Sequence, residues 1–216
     1  MSSIKATIQM GLFAAGITAA ALLVPGCSRP APAGGKIARA SADLHDSMRK
    51  LWEDHITWTR LVIVSTAAGL PDLTATTERL LKNQADIGDA IKPYYGNEAG
   101  DKLTVLLREH IVGAANVLAV AKTKDVSKLE TAKAAWYANG ESIAAFLSAA
   151  NPGAWLLADM QAMMREHLDL TLVEAVAQLE GRYPDSVAGY DKVHAAILTM
   201  SDMLSDGIVK QYPKQF

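Results

Sequence analysis

The feature that most restricts the fold of this chain is a helical spacing of apolar residues along most of its length. From about residue 42 to residue 209, apolar side chains recur three and four positions apart, without the alternation typical of strands. Glycine and proline interrupt the pattern near 69–71, 93–96, 151–153 and 181–184. The sequence therefore predicts long helices joined by short turns.

These breaks delimit six helices. We predict them at about 42–68, 74–91, 98–122, 127–150, 154–179 and 184–209. Ser127 and Glu130 have the spacing of a capping box at the start of the fourth helix. Because short connections make neighbouring helices antiparallel, we expect an all-α fold, an up-and-down antiparallel helical bundle. It would have about six helices in total, either all side by side or, as we expect, with a four-helix core and the others packed across it.

The N-terminus has the pattern of an export signal. Lys5 precedes an apolar run over 8–24, which ends in small residues before Cys27, the only cysteine of the chain. This arrangement resembles the bacterial lipoprotein signal, in which the cysteine becomes the lipidated N-terminus. The resemblance implies a signal peptide over 1–26 and lipidation of Cys27, and Ser28 in place of aspartate implies the outer membrane. The membrane would then be a partner through the N-terminal lipid.

Two other interpretations of the N-terminus remain open, a soluble secreted protein and an uncleaved membrane anchor. The apolar run is short for an anchor, since a spanning helix needs about 20 residues. All three place the protein outside the cytoplasm, in the envelope facing the periplasm. Proline, alanine and glycine dominate 28–36, so we expect a flexible tether over 27–41 and a helical domain over 42–216.

The charges argue against a nucleic-acid partner. The 21 basic and 23 acidic residues give a net charge of −2, and no basic run occurs along the sequence. Protein partners remain open. With a single cysteine, no intrachain disulfide can form.

Histidine is the residue type that points to a site. The tripeptide Arg-Glu-His occurs twice, ending at His110 and at His167, although the chain has only five histidines. Each of these two lies on the apolar stripe of its helix, and the same reasoning directs His55 and His194 inward from two further helices. His45 lies among polar residues and is expected at the surface.

Acidic residues on the same helices suggest a metal site. Histidines and carboxylates on facing helices are the ligands that helical bundles use for metals, and imidazole suits iron, copper and zinc. Asp191 lies three residues before His194, so both share one helix face. The candidate ligands are His55, His110, His167, His194, Glu174, Asp191 and Asp86. Methionines on the fifth and sixth helices would suit copper, although methionine is also a common core residue.

Two alternatives need no metal. The inward histidines could form a polar network with acids, Asn83 and threonine that fixes helix register in a structural or partner-binding protein. Alternatively, His194 with Asp191, or His167 with Glu174, could act as general acid–base pairs in an enzyme. The sequence has no convincing nucleophile motif, phosphate-binding glycine loop or dinucleotide fingerprint, which makes catalysis the weakest of the three.

A faint internal repeat accompanies the histidines. Asn83 corresponds to Asn139, four residues later Ile87 corresponds to Ile143, and His110 then corresponds to His167 after one extra residue. The second and third helices would thus match the fourth and fifth, by duplication of a helical hairpin or by coincidence.

The motifs also carry a resemblance. The stretch LWEDHITWTR, the two REH tripeptides, NPGAW and the ending GIVKQYPKQF resemble a family of bacterial all-helical proteins, some of which carry lipoprotein signals. The similarity covers about 51–216. It implies a helical fold and draws attention to the same four inward histidines, and it supplies no reaction.

Overall fold

A computed structural model describes residues 33–216, with side chains described from Arg39 onward. It confirms the all-α prediction for this range. The six helices are α1 (Ala33–Ala68), α2 (Leu73–Tyr95), α3 (Asn97–Thr123), α4 (Val126–Ala150), α5 (Leu157–Leu179) and α6 (Tyr183–Gln211). The predicted signal peptide, Cys27 and the first part of the predicted tether lie outside the described residues.

Helix ends differ from the sequence prediction at several places, among them the start of α5, which is at Leu157 instead of about 154. Helix α1 begins at Ala33, inside the segment predicted as a tether, because alanine, lysine and arginine there favour a helix despite two glycines. Helix α2 continues through Pro93 to Tyr95, and the Gly96 amide closes its last turn on the Lys92 carbonyl. Helix α4 is capped by Asp125, whose carboxylate accepts from the Lys128 amide, instead of by Ser127.

The six helices close into a ring. Each helix packs against the next in the chain, and α6 packs back against α1. Arg49 Nε donates to Asp202 at 2.6 Å and His45 Nε2 lies 3.1 Å from Asp206, so α1 and α6 run antiparallel. The continuous apolar core takes residues from all six helices.

The alternation of helix direction sets the position of the site. Short connections reverse the chain at each step, so α1, α3 and α5 run one way and α2, α4 and α6 the other. Helix α3 is the one described helix long and apolar enough to span a membrane, and here it packs between α2 and α4. Because α1, α3 and α5 run in the same direction, their side chains at the same height of the bundle can meet in the interior.

Two glycines bring the backbones of α2 and α3 together. A methyl group added at Gly88 would lie 2.6 Å from the Gly100 carbonyl oxygen and closer still to Thr104 Oγ1. We expect Gly88→Ala to lower the free energy of unfolding by about 1–3 kcal/mol, because the helices must separate. Urea titration measures this loss. Gly153→Ala is the control, since nothing lies within 4 Å of the added methyl, and an equal loss there would contradict the explanation.

Candidate functional site

Three of the four histidines predicted to face inward meet in the core. His55 of α1, His110 of α3 and His167 of α5 are each at most 6 % exposed. The ring centroid of His167 lies 5.7 Å from that of His55 and 6.1 Å from that of His110. We call these residues the histidine cluster. The Trp52 and Trp136 rings pack against its outer two members.

The histidine cluster faces an enclosed cavity on the bundle axis. The cavity has about 30 Å³ of room for the centres of water-sized molecules, enough for a water or an ion but not for an organic cofactor. Apart from the three imidazoles, its wall is almost entirely apolar and includes Met48, Met164 and Met200. No carboxylate lines this cavity within the described part of the chain.

An amide on the neighbouring helix holds His110. Asn139 of α4 donates from Nδ2 to the Leu106 carbonyl at 3.1 Å, which turns its Oδ1 towards His110 Nδ1 at 3.0 Å. Because Oδ1 can only accept, His110 Nδ1 carries the proton and Nε2 keeps its lone pair. The amide thus fixes both the orientation and the tautomer of this ring.

His55 has a similar arrangement divided between two residues. Asn83 Nδ2 donates to the Leu51 carbonyl at 3.0 Å, and the neighbouring Gln84 places its Nε2 3.3 Å from His55 Nδ1. Gln84 and Asn139 each follow their histidine by 29 residues. The correspondence of Asn83 with Asn139 in the sequence thus reflects equivalent bonds to the carbonyl one turn before each histidine.

The third member of the histidine cluster lacks this partner. The residue at the same spacing after His167 is Ala196 of α6, and the buried His167 Nδ1 has no hydrogen-bond partner among the described residues. His167 also lines an open pocket of about 400 Å³ between α5 and α6, together with Ala196, Met163 and Met200. His167 therefore lies in the wall between the cavity and this outer pocket.

Burial keeps the three imidazoles neutral. Loss of hydration lowers the pKa of His110 to about 4 and that of His167 to about 3, and the nearby His110 lowers the latter further. The pKa of His55 is well below its usual value of 6.5, because of burial first and then its neighbours His167 and His110. At neutral pH each ring therefore carries one proton. The lone pair of His110 lies on Nε2 and is free, whereas that of His55 lies on Nδ1, which accepts from the Gln84 amide.

The other candidate ligands lie elsewhere. The prediction that His194 points inward is wrong, since it lies partly exposed on α6 with Nε2 3.2 Å from Glu53 Oε1. The buried stripe of α6 passes through Val193 and Ile197, so His194 is turned about 100° away from it. Asp191 is exposed beside it.

The remaining two acids are engaged by basic residues. Asp86 pairs with Lys82 one turn earlier on α2, at 2.6 Å on the outer surface. Glu174 is buried as predicted, but its Oε1 accepts from Arg60 Nη1 of α1 at 2.8 Å. Burial raises the pKa of Glu174 while the bond to Arg60 opposes the rise. Neither carboxylate belongs to the cavity wall.

Sequence reasoning missed Gln84, Ala196 and Arg60. The constant spacing between each histidine and its partner position would have identified the first two. Arg60 could not be identified in this way, because the sequence does not distinguish a partly buried arginine from one at the surface.

Removing the His110 partner tests its contribution. Asn139→Ala leaves His110 without an amide partner, as Ala196 leaves His167. We expect the free energy of unfolding to fall by about 1–3 kcal/mol, because His110 Nδ1 loses its buried hydrogen bond. Urea unfolding measures the loss. Asn116→Ala, an exposed asparagine on α3, is the matched control and should change stability by less than about 0.5 kcal/mol. Equal effects at the two positions would contradict the role of Asn139.

The site offers three neutral nitrogen donors beside thioether sulfurs in an apolar cavity. Within residues 33–216, no group of three or more histidine, cysteine, aspartate or glutamate side chains is placed so that it could hold a metal ion as the side chains stand. The chain matches no family model, no curated protein and no solved structure.

Proposed function

We propose that the protein binds a transition-metal ion in the central cavity through His55, His110 and His167. The observation that carries the proposal is that three helices bring neutral imidazoles to one small cavity. A single buried histidine is an ordinary core residue. Burial, aided at His55 and His167 by neighbouring imidazoles, lowers the affinity of all three for protons and keeps them neutral, as metal ligands must be.

Two of the three ring separations are close to those that a shared ion requires. Metal–nitrogen bonds of about 2.0–2.1 Å place the centroids of two imidazoles on one ion roughly 5–6 Å apart. The distances from His167 to its two neighbours are 5.7 and 6.1 Å. Binding requires the rings to turn so that one nitrogen of each converges, and His167, whose Nδ1 is unpartnered, is the ring least held by other bonds.

A second candidate function is structural. The amide contacts of His55 and His110 support a polar network that fixes helix register without any cofactor. In that case the protein would be a partner-binding or scaffolding component of the envelope. The two candidates differ in whether His167 has a ligand.

The proposed location rests on the sequence. The signal-like segment 1–26 and the cysteine that follows it, Cys27, support export. The protein would be held to the outer membrane by lipid and face the periplasm. A metal site there would serve binding, storage or transfer of the ion. We propose no catalytic step, since the acid–base pairs considered from sequence are not formed around the cavity.

Elemental mass spectrometry of the full chain, purified in a mild detergent without a histidine tag, tests the metal proposal. We expect near-stoichiometric iron, copper or zinc after exposure to each ion, and its loss in His110→Gln/His167→Gln. The matched control is His45→Gln/His194→Gln, which replaces two histidines outside the cavity and should keep the metal.

Urea unfolding of each variant shows that it is folded. Absence of metal in the folded parent after all three ions would overturn metal binding and favour the structural network. Equal loss of metal in both double variants would place binding outside the histidine cluster.

A further inference from the structure

The donor set of the cavity favours an ion of low charge. The available donors are the three imidazoles, and the methionines beside them are also neutral. A divalent ion would bring two charges into an apolar cavity with no anionic ligand to balance them, and burial of uncompensated charge costs several kcal/mol. A monovalent ion avoids most of this cost.

The sulfur atoms favour the same ion. Met164 lies one turn before His167 on α5, and Met200 lies on α6, so both belong to the hairpin whose histidine lacks an amide partner. Thioether sulfur is a soft ligand that prefers Cu(I), while imidazole accepts copper as readily as zinc. Nitrogen and thioether donors together therefore select Cu(I) over zinc and iron.

A pocket open to solvent lies on the other side of these donors. The α5–α6 pocket is open and is lined by Met163, His167 and Met200. His167 and Met200 line the enclosed cavity as well, so the two spaces share these side chains as a common wall. An ion arriving at Met163 would enter the cavity by displacement of the His167 and Met200 side chains, which are themselves the donors. The small Ala196 leaves this side of His167 uncovered.

We propose that the ion is Cu(I) and that it reaches the histidine cluster through the α5–α6 pocket, past Met163, Met200 and His167. This inference rests on the proposed metal binding and adds the identity of the ion and its path. Methionine also fills gaps in apolar cores, but replacement by leucine preserves most of that packing while removing the sulfur. Leucine variants therefore separate the two roles.

The experiment compares Cu(I) with Zn²⁺ on the full chain in detergent. All proteins carry Cys27→Ser, which removes the only thiol of the chain. Affinity is measured by competition with a chromogenic chelator, anaerobically for Cu(I). We expect tighter Cu(I) than Zn²⁺ binding, and at least a tenfold loss of Cu(I) affinity in Met164→Leu/Met200→Leu with Zn²⁺ affinity unchanged.

Two further variants complete the design. Met160→Leu is the matched control, because Met160 is fully buried on the same helix but does not line the cavity, and it should bind Cu(I) like the parent. Ala196→Leu fills the outer pocket and should slow Cu(I) uptake at least tenfold without changing affinity at equilibrium.

The outcomes separate this inference from the proposed function. If the folded parent binds neither ion, metal binding itself fails. If Zn²⁺ binds as tightly as Cu(I), or if the methionine double variant binds Cu(I) like the parent, the assignment to Cu(I) is overturned while metal binding stands. Unchanged uptake in Ala196→Leu overturns the path.

Discussion

Lowering the pH from 7.5 to 5.5 is expected to remove about 4 kcal/mol from the free energy of unfolding of the metal-free protein. The three buried imidazoles of the histidine cluster cause this loss. Each has a folded-state pKa below the usual 6.5, so below that pH the unfolded chain takes up protons that the folded chain excludes. Most of the loss occurs below pH 6.5, and each histidine lowers the free energy of unfolding by about 1.4 kcal/mol over the whole interval.

The sign of the effect follows from which state binds the protons. Stability is complete above about pH 6.5 and falls as pH decreases, until the folded-state pKa values are reached, near 4 for His110 and near 3 for His167. Urea titrations at intervals of half a pH unit, with a chelator present, measure the slope. His110→Gln should reduce the slope by about one third, whereas His194→Gln should leave this acid-side loss in place. A stability that stays constant between pH 7.5 and 5.5 would show that the cluster takes up protons without cost.

Replacing Arg60 is expected to lower the free energy of unfolding by about 3–5 kcal/mol. Its Nη1 donates to Glu174 Oε1 at 2.8 Å and to Ser186 Oγ at 2.6 Å, which joins α1 to α5 and α6. Arg60→Met leaves the Glu174 carboxylate buried without a counter-charge. Because the carboxylate can become neutral by taking up a proton, the loss relative to the parent should be smaller at pH 5.5 than at pH 7.5. Urea unfolding at both pH values measures it.

Two controls test this explanation. Arg60→Met/Glu174→Leu removes the stranded charge together with its partner and should recover most of the loss, since apolar replacement of a buried pair is often close to neutral. Arg165→Met breaks an exposed pair with Glu141 and should cost less than about 1 kcal/mol. A double variant as unstable as Arg60→Met would mean that packing of the arginine, rather than charge, is responsible.

Much of the fold could be predicted because helix position depends on local periodicity. The ends of α3 and α4 fall within about one residue of the sequence prediction, since breaks at Gly96 before α3 and at Asn151 after α4 are visible in the sequence. The closed ring was not predictable in the same way. The contact between α6 and α1 joins residues such as Arg49 and Asp202, which share no local pattern.

The site was predictable in part for the same reason. His55, His110 and His167 lie on stripes whose centre is clear, so their inward orientation followed from spacing. On α6 the stripe includes serines and glycines, such as Ser201 and Gly207, which carry little hydrophobic signal. The predicted stripe was therefore rotated by one position, and His194 was assigned to the interior. Glu174 was correctly predicted to be buried. Its partner Arg60 was not predicted, because it lies on a helix distant in sequence.

The closure of α6 onto α1 has a consequence for chain order. Because His45 meets Asp206, the beginning of α1 and the end of α6 lie at the same end of the ring. A short linker between the two ends would make the backbone circular. The connections between the pairs α1–α2, α3–α4 and α5–α6, at Gly96 and at 151–156, would then become equivalent places to open it. A permuted chain that begins at Asn97 would bury the same residues and bring the same three imidazoles together. The order in which the hairpins are synthesised is thus separable from the structure they form.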